Sequence, residues 1–243
     1  MDIRVLGCNG PYPAAGGTCS GYLISEGDDR VLMDCGPGVL SRLMTRLDPA
    51  RLTAVLLSHS HGDHCSDMMA FRYYMDIRRQ QDQVEPLPVY APRDDNSPVI
   101  RFLAESESFR VHWIKAGDTL QAGSLAIACG PARHPVPAVG FRAGSFGYTG
   151  DTTVLPELAD FYRGVSVLLA DGCFLRSQWQ KSSPHMAAFQ AAELARDANA
   201  GRLIVTHLRP DVDEATLLKE AAAIFPETTL AKADMLIRFD SGK

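Results

Sequence analysis

Short apolar runs bounded by turn-forming residues recur along the whole chain, and they predict β-strands. Two of these runs, 54–57 and 203–206, are apolar at nearly every position, which is typical of buried strands. Glycine and proline residues punctuate the chain between many of the runs. Strands are predicted for residues 3–6, 22–25, 31–34, 54–57, 87–90, 109–114, 125–129, 165–170 and 203–207.

Helices are predicted between these strands where apolar residues recur at helical spacing. Met68, Met69, Phe71, Tyr74 and Ile77 follow this spacing, so their segment is predicted to be a helix whose apolar face packs on the core. Further helices are predicted for 39–47, 99–105, 185–199 and 213–224, and the closing segment 229–239 is predicted to be a hairpin-like tail. Strands and helices in both halves of the chain favour a layered α/β sandwich.

The charge balance argues against an extended nucleic-acid-binding surface. The 243 residues include 24 Lys and Arg against 29 Asp and Glu, which gives a net charge of −5. A protein that binds long nucleic acids through its surface usually carries a broad basic face. The local groups of basic residues are interpreted mainly as solvated surface charge. These groups are Arg72, Arg78 and Arg79 on one segment, and Lys181 with Arg209 on others.

The six cysteines of the chain have no C-x-x-C spacing. The absence of this spacing argues against a structural zinc site and against a redox dithiol. Reduced and mostly buried thiols are therefore expected. Gly7, Gly10, Pro11 and Pro13 interrupt the first residues, where a leader peptide would be basic and then apolar. No apolar run reaches membrane-spanning length. We therefore expect a cytoplasmic protein without a membrane partner.

A dense group of metal-ligating side chains follows the apolar run 54–57. His59, His61, Asp63 and His64 all lie within six residues. Neutral imidazole and carboxylate are ligands that Zn²⁺ and similar cations prefer. Without a cation, three crowded imidazoles would disfavour one another's protonation and desolvation would be costly. The pattern therefore predicts a metal site, and a solvated histidine-rich loop is the alternative reading.

Three further candidate ligands lie where predicted strands give way to loops. His134 follows the run 124–129, His207 ends the run 203–206, and Asp151 follows a glycine-punctuated β-rich segment. Loops at strand ends are where a rigid scaffold carries its functional groups. Because ligands from His59 to His207 must converge on one point, a single domain over 1–243 is expected.

The order of these residues resembles the metallo-β-lactamase superfamily, in which an HxHxDH motif is followed by a lone His, a lone Asp and a lone His. The resemblance implies the four-layer αββα sandwich of that family and two divalent metal ions. Zinc is the first choice, with Mn or Fe as alternatives. The first metal would be held by His59, His61 and His134, the second by Asp63, His64 and His207, and Asp151 would bridge the two.

Within that family the chain is most similar to the ribonuclease Z branch. The similarity lies in Gly-Asp-Thr at 150–152, Thr-His-Leu at 206–208 and Ser-Pro-His at 183–185. The tRNA-processing enzymes carry a long arm before the bridging Asp, whereas 135–150 can form only a hairpin here. At the position where the family has a Glu in His-Glu-Ala-Thr, this chain has Asp171, and we expect Asp171 to pair with His185.

The implied chemistry uses the two cations to activate water. Two cations about 3.5–4 Å apart can share a water molecule and lower its pKa toward about 7. The expected nucleophile is thus a metal-bridging hydroxide, which Asp63 would help to orient. His185 is not among the ligands, and we expect it to protonate the leaving group under the influence of Asp171. A helix-capping histidine is the alternative. Asp34 is expected to orient a ligand histidine, and His112 is interpreted as structural.

The sequence therefore predicts a dinuclear metal-dependent hydrolase. A phosphodiesterase acting on a small phosphodiester or a short nucleotide-type substrate is the first hypothesis, because two cations suit phosphoryl oxygens. Carboxyl-ester, lactone or thioester hydrolysis on the same site is the main alternative. A tRNA 3′-end endonuclease and an inactive binding subunit are less favoured, as is a di-iron oxidoreductase, whose family members have Glu in place of His61. The resemblance also implies a homodimer.

Overall fold

The computed structural model describes residues 1–82 and 84–239 of the chain. Fourteen strands are formed within these residues. They are β1 (Asp2–Gly7), β2 (Gly21–Glu26), β3 (Asp29–Met33), β4 (Ala54–Leu56), β5 (Leu87–Pro92), β6 (Phe109–Ile114), β7 (Thr119–Ala122), β8 (Leu125–Gly130), β9 (Gly140–Ala143), β10 (Phe146–Tyr148), β11 (Val167–Asp171), β12 (Arg202–Thr206), β13 (Thr228–Leu230) and β14 (Leu236–Arg238).

Seven α-helices and one 3₁₀ turn accompany the strands in the described residues. The helices are α1 (Val39–Met44), α2 (Gly62–Cys65), α3 (Met68–Asp82), α4 (Pro98–Ala104), α5 (Leu158–Phe161), α6 (Ala188–Asp197) and α7 (Glu214–Ala222), and the 3₁₀ turn is Pro49–Arg51. None of the described helices is long and apolar enough to cross a membrane.

The strands form two sheets of seven. The first has the order β14-β1-β2-β3-β4-β5-β6, and the second has the order β13-β12-β11-β10-β9-β8-β7. Side chains alternate across the first sheet, so that Val31 and Met33 of β3 belong to the core shared with the second sheet. Leu32 belongs instead to a second core formed with α1, α3 and α4. Helices α5, α6 and α7 cover the second sheet, which completes a four-layer αββα sandwich. The expected fold class is confirmed.

Parallel pairing brings the carboxyl ends of several strands to shared edges. Strands β3, β4, β5 and β6 are parallel neighbours in the first sheet. Strands β10, β11, β12 and β13 are parallel neighbours in the second. Ligands in open α/β sheets bind outside the carboxyl ends of strands. The residues after β3, β4, β10 and β12 are Asp34, the 57–64 loop, the 149–151 turn and His207.

Two sequence-based predictions of local structure were wrong. The closing segment 229–239 is not a hairpin, because β13 pairs with β12 in the second sheet and β14 pairs with β1 in the first. The connection between them includes Asp234 in the left-handed region, with φ of 66°. The predicted helix 185–199 begins only at Ala188, so His185 precedes α6 and does not open it.

Other predictions fared better. The segment 135–150 forms the expected hairpin, in which β9 and β10 pair antiparallel. All six cysteines are free and buried, as expected. The predicted helix forms as α3 and buries Met68, Phe71 and Met75, but the prediction of core packing was wrong for Met69 and Ile77, which are 37% and 52% exposed. His112 lies on β6 and stacks on Tyr90 of β5 with ring centroids 4.9 Å apart, consistent with a structural role.

Candidate metal centre

The seven candidate ligands converge on one point between the two sheets. Their donor atoms form two groups, and within each group all of them lie within 4.8 Å of one another. The first group is His59, His61 and His134, and the second is Asp63, His64, Asp151 and His207. The grouping matches the two ligand sets implied by the resemblance.

Asp151 belongs to the second group and also lies close to histidines of the first. Its Oδ2 atom is 3.5 Å from Nε2 of His59 and 3.1 Å from Nε2 of His207. Its Oδ1 atom is 3.2 Å from Nε2 of His64, and Oδ2 is 3.9 Å from Nε2 of His134. One buried carboxylate is therefore within reach of nitrogens from both groups, which is the arrangement that a bridging ligand needs.

The loop after β4 supplies four of these side chains. His59 and His61 lie in the extended part of the loop, and Asp63 and His64 lie in the short helix α2. Gly36 packs against this turn so closely that an added Cβ would lie 1.9 Å from the carbonyl oxygen of Asp63. Any side chain at Gly36 would therefore displace the loop.

The candidate ligand His207 has a backbone conformation that few residues adopt. His207 has φ of 58°, which is unusual for a residue other than glycine, and its ring packs on Gly10. A Cβ on Gly10 would lie 2.2 Å from Nε2 of His207, the nitrogen that faces Asp63 and Asp151. Strain of this kind is concentrated at functional sites, where the surrounding structure maintains it. Gly10 thus leaves the space that the His207 ring occupies.

A buried network orients His64. Its Nδ1 atom is 2.8 Å from Oδ2 of Asp34, and the Tyr148 hydroxyl donates to the same oxygen at 2.6 Å. The backbone N–H of Ser58 donates to Oδ1 of Asp34 at 2.7 Å, and the Ser58 hydroxyl donates to Oδ2 at 2.9 Å. Asp34 therefore has the geometry expected of a carboxylate that orients a ligand histidine. The Nε2 atom of His64 is left facing Asp151.

The unpaired nitrogens of this centre suit a cation. Nε2 of His59 and Nε2 of His64 are buried and have no hydrogen-bond partner. Buried polar atoms without a partner are rare, and coordination of an ion is one of the ordinary ways in which they are satisfied. Imidazole nitrogens and carboxylate oxygens in two groups are a donor set that Zn²⁺ and similar divalent cations accept. The residues present therefore fit divalent metal ions.

Burial and local charge set the protonation of these histidines. Burial lowers the pKa of His59 well below its usual value, lowers that of His61, and lowers that of His134 to about 4. Neutral rings result at these three positions, and Nε2 of His134 lies 2.9 Å from Nδ1 of His61. Burial opposes protonation of His64 as well, but the charges of Asp151 and Asp34 outweigh it and raise its pKa.

His185 and Asp171 form a pair beside the metal ligands. Nδ1 of His185 is 2.8 Å from Oδ2 of Asp171, which is fully buried at the end of β11. The same nitrogen is 3.8 Å from Oδ2 of Asp151, and the ring stacks on His207 at 4.7 Å. Burial disfavours the charged ring, but the charge and hydrogen bond of Asp171 raise the pKa of His185 to about 9. The side chain remains 15% exposed, so solvent or a substrate can reach it.

Sequence reasoning did not find several neighbours of the centre. Tyr148 and Ser58 both donate hydrogen bonds to Asp34. The available signal in the sequence was Tyr148 itself, three residues before Asp151, because a buried tyrosine hydroxyl usually has a hydrogen-bond partner. The Cys173 thiol lies within 4.8 Å of donor atoms of Asp171, His185 and His207. Burial raises the pKa of Cys173 far above its usual value.

Comparison with known proteins agrees with this geometry. Residues 29–208 match the family model described as "Beta-lactamase superfamily domain". A Bacillus subtilis protein named "Probable metallo-hydrolase YhfI" is 30% identical over 239 residues, covering 96% of this chain and 98% of the relative. The crystal structure of the metallo-β-lactamase fold protein YhfI superposes with a TM-score of 0.91 over 97% of this chain and 98% of that one. The chain belongs to the metallo-β-lactamase superfamily.

Relatives within the superfamily extend to the ribonuclease Z branch. A Bacteroides thetaiotaomicron protein named "Ribonuclease Z" is 23% identical over 306 residues, covering 99% of this chain and 96% of the relative. The short form of human tRNase Z shares the fold with a TM-score of 0.77 at 20% identity, covering 98% of this chain and 99% of that one. The metallo-β-lactamase fold and the clustered His and Asp side chains of this chain are those of a metal-dependent hydrolase.

Proposed function

We propose that the chain is a dinuclear zinc-dependent phosphodiesterase that acts on a small phosphodiester or nucleotide-type substrate. The observation that carries the proposal is the pair of donor groups with Asp151 between them, beside the His185–Asp171 pair. The donor groups provide for two cations, and His185 provides a proton next to them. Both are needed to cleave an ester whose leaving group is a poor one.

Each residue has a distinct task in this proposal. The first cation is assigned to His59, His61 and His134, and the second to Asp63, His64 and His207, with Asp151 common to both. When bound, divalent cations activate water and neutralise charge on phosphoryl oxygens. Asp63 is assigned to orient the attacking water as well, and its Oδ2 atom lies 3.1 Å from Nε2 of His207 in the second group. His185 protonates the leaving oxygen, and Asp171 keeps the His185 ring charged and oriented.

Two facts support a phosphodiester of small size. Relatives that span nearly the whole chain are named for a ribonuclease, whose substrate is a phosphodiester. Only the short hairpin of β9 and β10 separates His134 from Asp151, and it offers no extended surface for tRNA. The acidic charge balance points the same way.

A substrate panel with metal analysis tests the proposal. The purified protein, loaded with Zn²⁺ or Mn²⁺, should hydrolyse bis-p-nitrophenyl phosphate and small nucleotide phosphodiesters. It should hydrolyse p-nitrophenyl acetate, lactones and thioesters far more slowly. A preference for the carboxyl esters by orders of magnitude would replace the phosphodiesterase with an esterase or lactonase. If neither class of substrate were hydrolysed, the inactive binding subunit would become the favoured hypothesis.

Replacing His185 with alanine should slow poor leaving groups selectively. General acid catalysis contributes about 10²–10⁴-fold, and it matters only when the leaving oxygen needs a proton. We therefore expect a loss of about 10²-fold or more with an alkoxide leaving group. With p-nitrophenolate the expected loss is under about tenfold. Steady-state kcat on a dinucleotide monophosphate and on bis-p-nitrophenyl phosphate measures the difference.

His112→Ala is the matched control, because His112 stacks on Tyr90 away from the ligands. It should leave both rates unchanged. Equal slowing of both substrates in His185→Ala would remove His185 as the proton donor and leave it a structural residue. Asp171→Asn should reproduce part of the selective loss, since it removes the charge that favours the protonated ring.

A further inference from the structure

A cavity of about 700 Å³ opens beside the metal centre. His134 forms part of its lining, together with the carboxyl ends of β5 and β6 and the segment 135–139. Its volume is in the range of sites that bind small molecules, about 300–1,000 Å³. The proposed function accounts for His134 but leaves the rest of this cavity without a role.

Trp113 is the aromatic wall of the cavity. It lies one residue before the end of β6, at the same sheet edge as the metal loop, and 43% of its surface is exposed. The guanidinium carbon of Arg93 lies 6.0 Å from the centroid of its ring. A single exposed aromatic side chain is ordinary on a protein surface. An exposed indole inside a cavity that also contains a candidate metal ligand is a surface on which a flat ring can stack.

The charges around the cavity favour an anionic ligand. Arg93, Lys115 and Arg133 line it, against the single carboxylate of Asp118. Asp118 is also engaged locally, since its Oδ2 atom accepts the backbone N–H of Lys115 at 2.9 Å. Asp95 contacts Arg93 at 3.0 Å, which still leaves an excess of positive charge in a chain whose net charge is −5. Phosphate groups are the ligands that such an arrangement of arginine and lysine suits.

Both walls of the cavity are tied to the metal loop. The hydroxyl of Ser60, between His59 and His61, donates to Oδ2 of Asp94 at 2.5 Å, next to Arg93. On the opposite side, the backbone N–H of Val139 donates to the carbonyl oxygen of Ser58 at 2.9 Å. A ligand in the cavity is therefore held in a fixed position relative to the candidate metal centre.

We propose that this cavity binds the base-bearing arm of a nucleotide phosphodiester, with Trp113 as the stacking surface. The proposal rests on the proposed function, because the scissile phosphate must reach the neighbouring metal centre. Trp113 is then a residue that determines specificity. It contacts the base, which does not react, while Lys115 and Arg133 attract the negative charge of the phosphate that approaches the metal centre.

Two substrates with the same leaving group test this role. Thymidine 5′-p-nitrophenyl phosphate and methyl p-nitrophenyl phosphate both release p-nitrophenolate, and only the first has a base. Trp113→Ala should reduce the ratio of their kcat/KM values about 5- to 150-fold, mainly through KM. This range is a stacking contribution of about 1–3 kcal/mol per base, converted at 1.36 kcal/mol per tenfold. Trp113→Phe should retain most of the preference.

Tyr73→Ala is the matched control, because Tyr73 is an exposed aromatic residue on α3 and does not line the cavity. The ratio of the two kcat/KM values in Tyr73→Ala should equal that of the wild type. A ratio that changes less than twofold in Trp113→Ala would overturn the proposal.

A binding measurement separates this proposal from the proposed function. Thymidine 5′-monophosphate, which lacks a phosphodiester, should quench tryptophan fluorescence of the purified enzyme, and Trp113→Phe should lose the quench. Thymidine without its phosphate should bind at least about tenfold more weakly, since it lacks the group that Lys115 and Arg133 attract. Quenching without any phosphodiester hydrolysis would retain the cavity and reject the phosphodiesterase. Phosphodiester hydrolysis without a fluorescence quench that depends on Trp113 would retain the phosphodiesterase and reject the proposed role of the cavity.

Discussion

Asp151→Ala should abolish most of the activity and much of the metal binding. The carboxylate lies within 4 Å of nitrogens from both donor groups, so its loss weakens both sites together. A bound cation provides several kcal/mol of transition-state stabilisation, which corresponds to about 10³-fold in rate. We expect the metal content to fall from about two equivalents to one or fewer. Elemental analysis and kcat/KM on bis-p-nitrophenyl phosphate measure the two effects.

Asp160→Ala is the control for a general effect of removing an aspartate. Asp160 is 78% exposed, and its ionic partner within residues 1–82 and 84–239 is the nearby Arg163. This variant should retain full metal content and rate. An Asp151→Ala protein that kept two metal equivalents and normal turnover would refute the shared-ligand geometry. Loss of turnover with both metals retained would instead assign Asp151 to catalysis alone.

The positions of the candidate ligands could be predicted because each follows a local signal. His59, His61 and Asp63 follow a buried strand within a few residues, and His207 ends another such run. Parallel pairing brings strand ends together within each sheet, whereas β4 and β12 belong to different sheets, and their ends meet because the two sheets pack on each other. The same logic holds for Asp171, which ends β11 next to β12 and pairs with His185 as expected.

The features that sequence reasoning missed depend on contacts distant along the chain. The segment 229–239 contains two short strands that look like a hairpin, yet β13 and β14 pair with different sheets. Nothing within the segment distinguishes these outcomes, because three-residue strands obtain their stability from partners elsewhere. The start of α6 was misplaced for a local reason. The Gln190 side chain accepts the backbone N–H of Ala187 and fixes the first turn there.

Asp34→Asn should weaken metal binding while leaving the fold intact. Partners that orient metal ligands contribute about 10–100-fold to metal affinity or activity. The amide oxygen can still accept the backbone N–H of Ser58, whereas the NH2 group takes the place of the oxygen that faces the Tyr148 hydroxyl and Nδ1 of His64, so the negative charge beside His64 is lost. Asn also tolerates the left-handed conformation of position 34, where φ is 57°, so backbone strain does not increase.

Competition with a chelator provides the measurement, because it reports metal affinity separately from turnover. Asp34→Asn should release metal at a chelator concentration about 10–100-fold lower than the wild type requires, with the midpoint of thermal unfolding of the metal-free protein little changed. Tyr148→Phe is the graded comparison, since it removes one donor to Asp34 and keeps the carboxylate charge, so its loss of affinity should be smaller. Equal metal affinity in Asp34→Asn and the wild type would show that the charge of Asp34 does not act on the metal through His64. A large loss of stability in the metal-free Asp34→Asn protein would instead assign the network of Asp34, Ser58 and Tyr148 to folding.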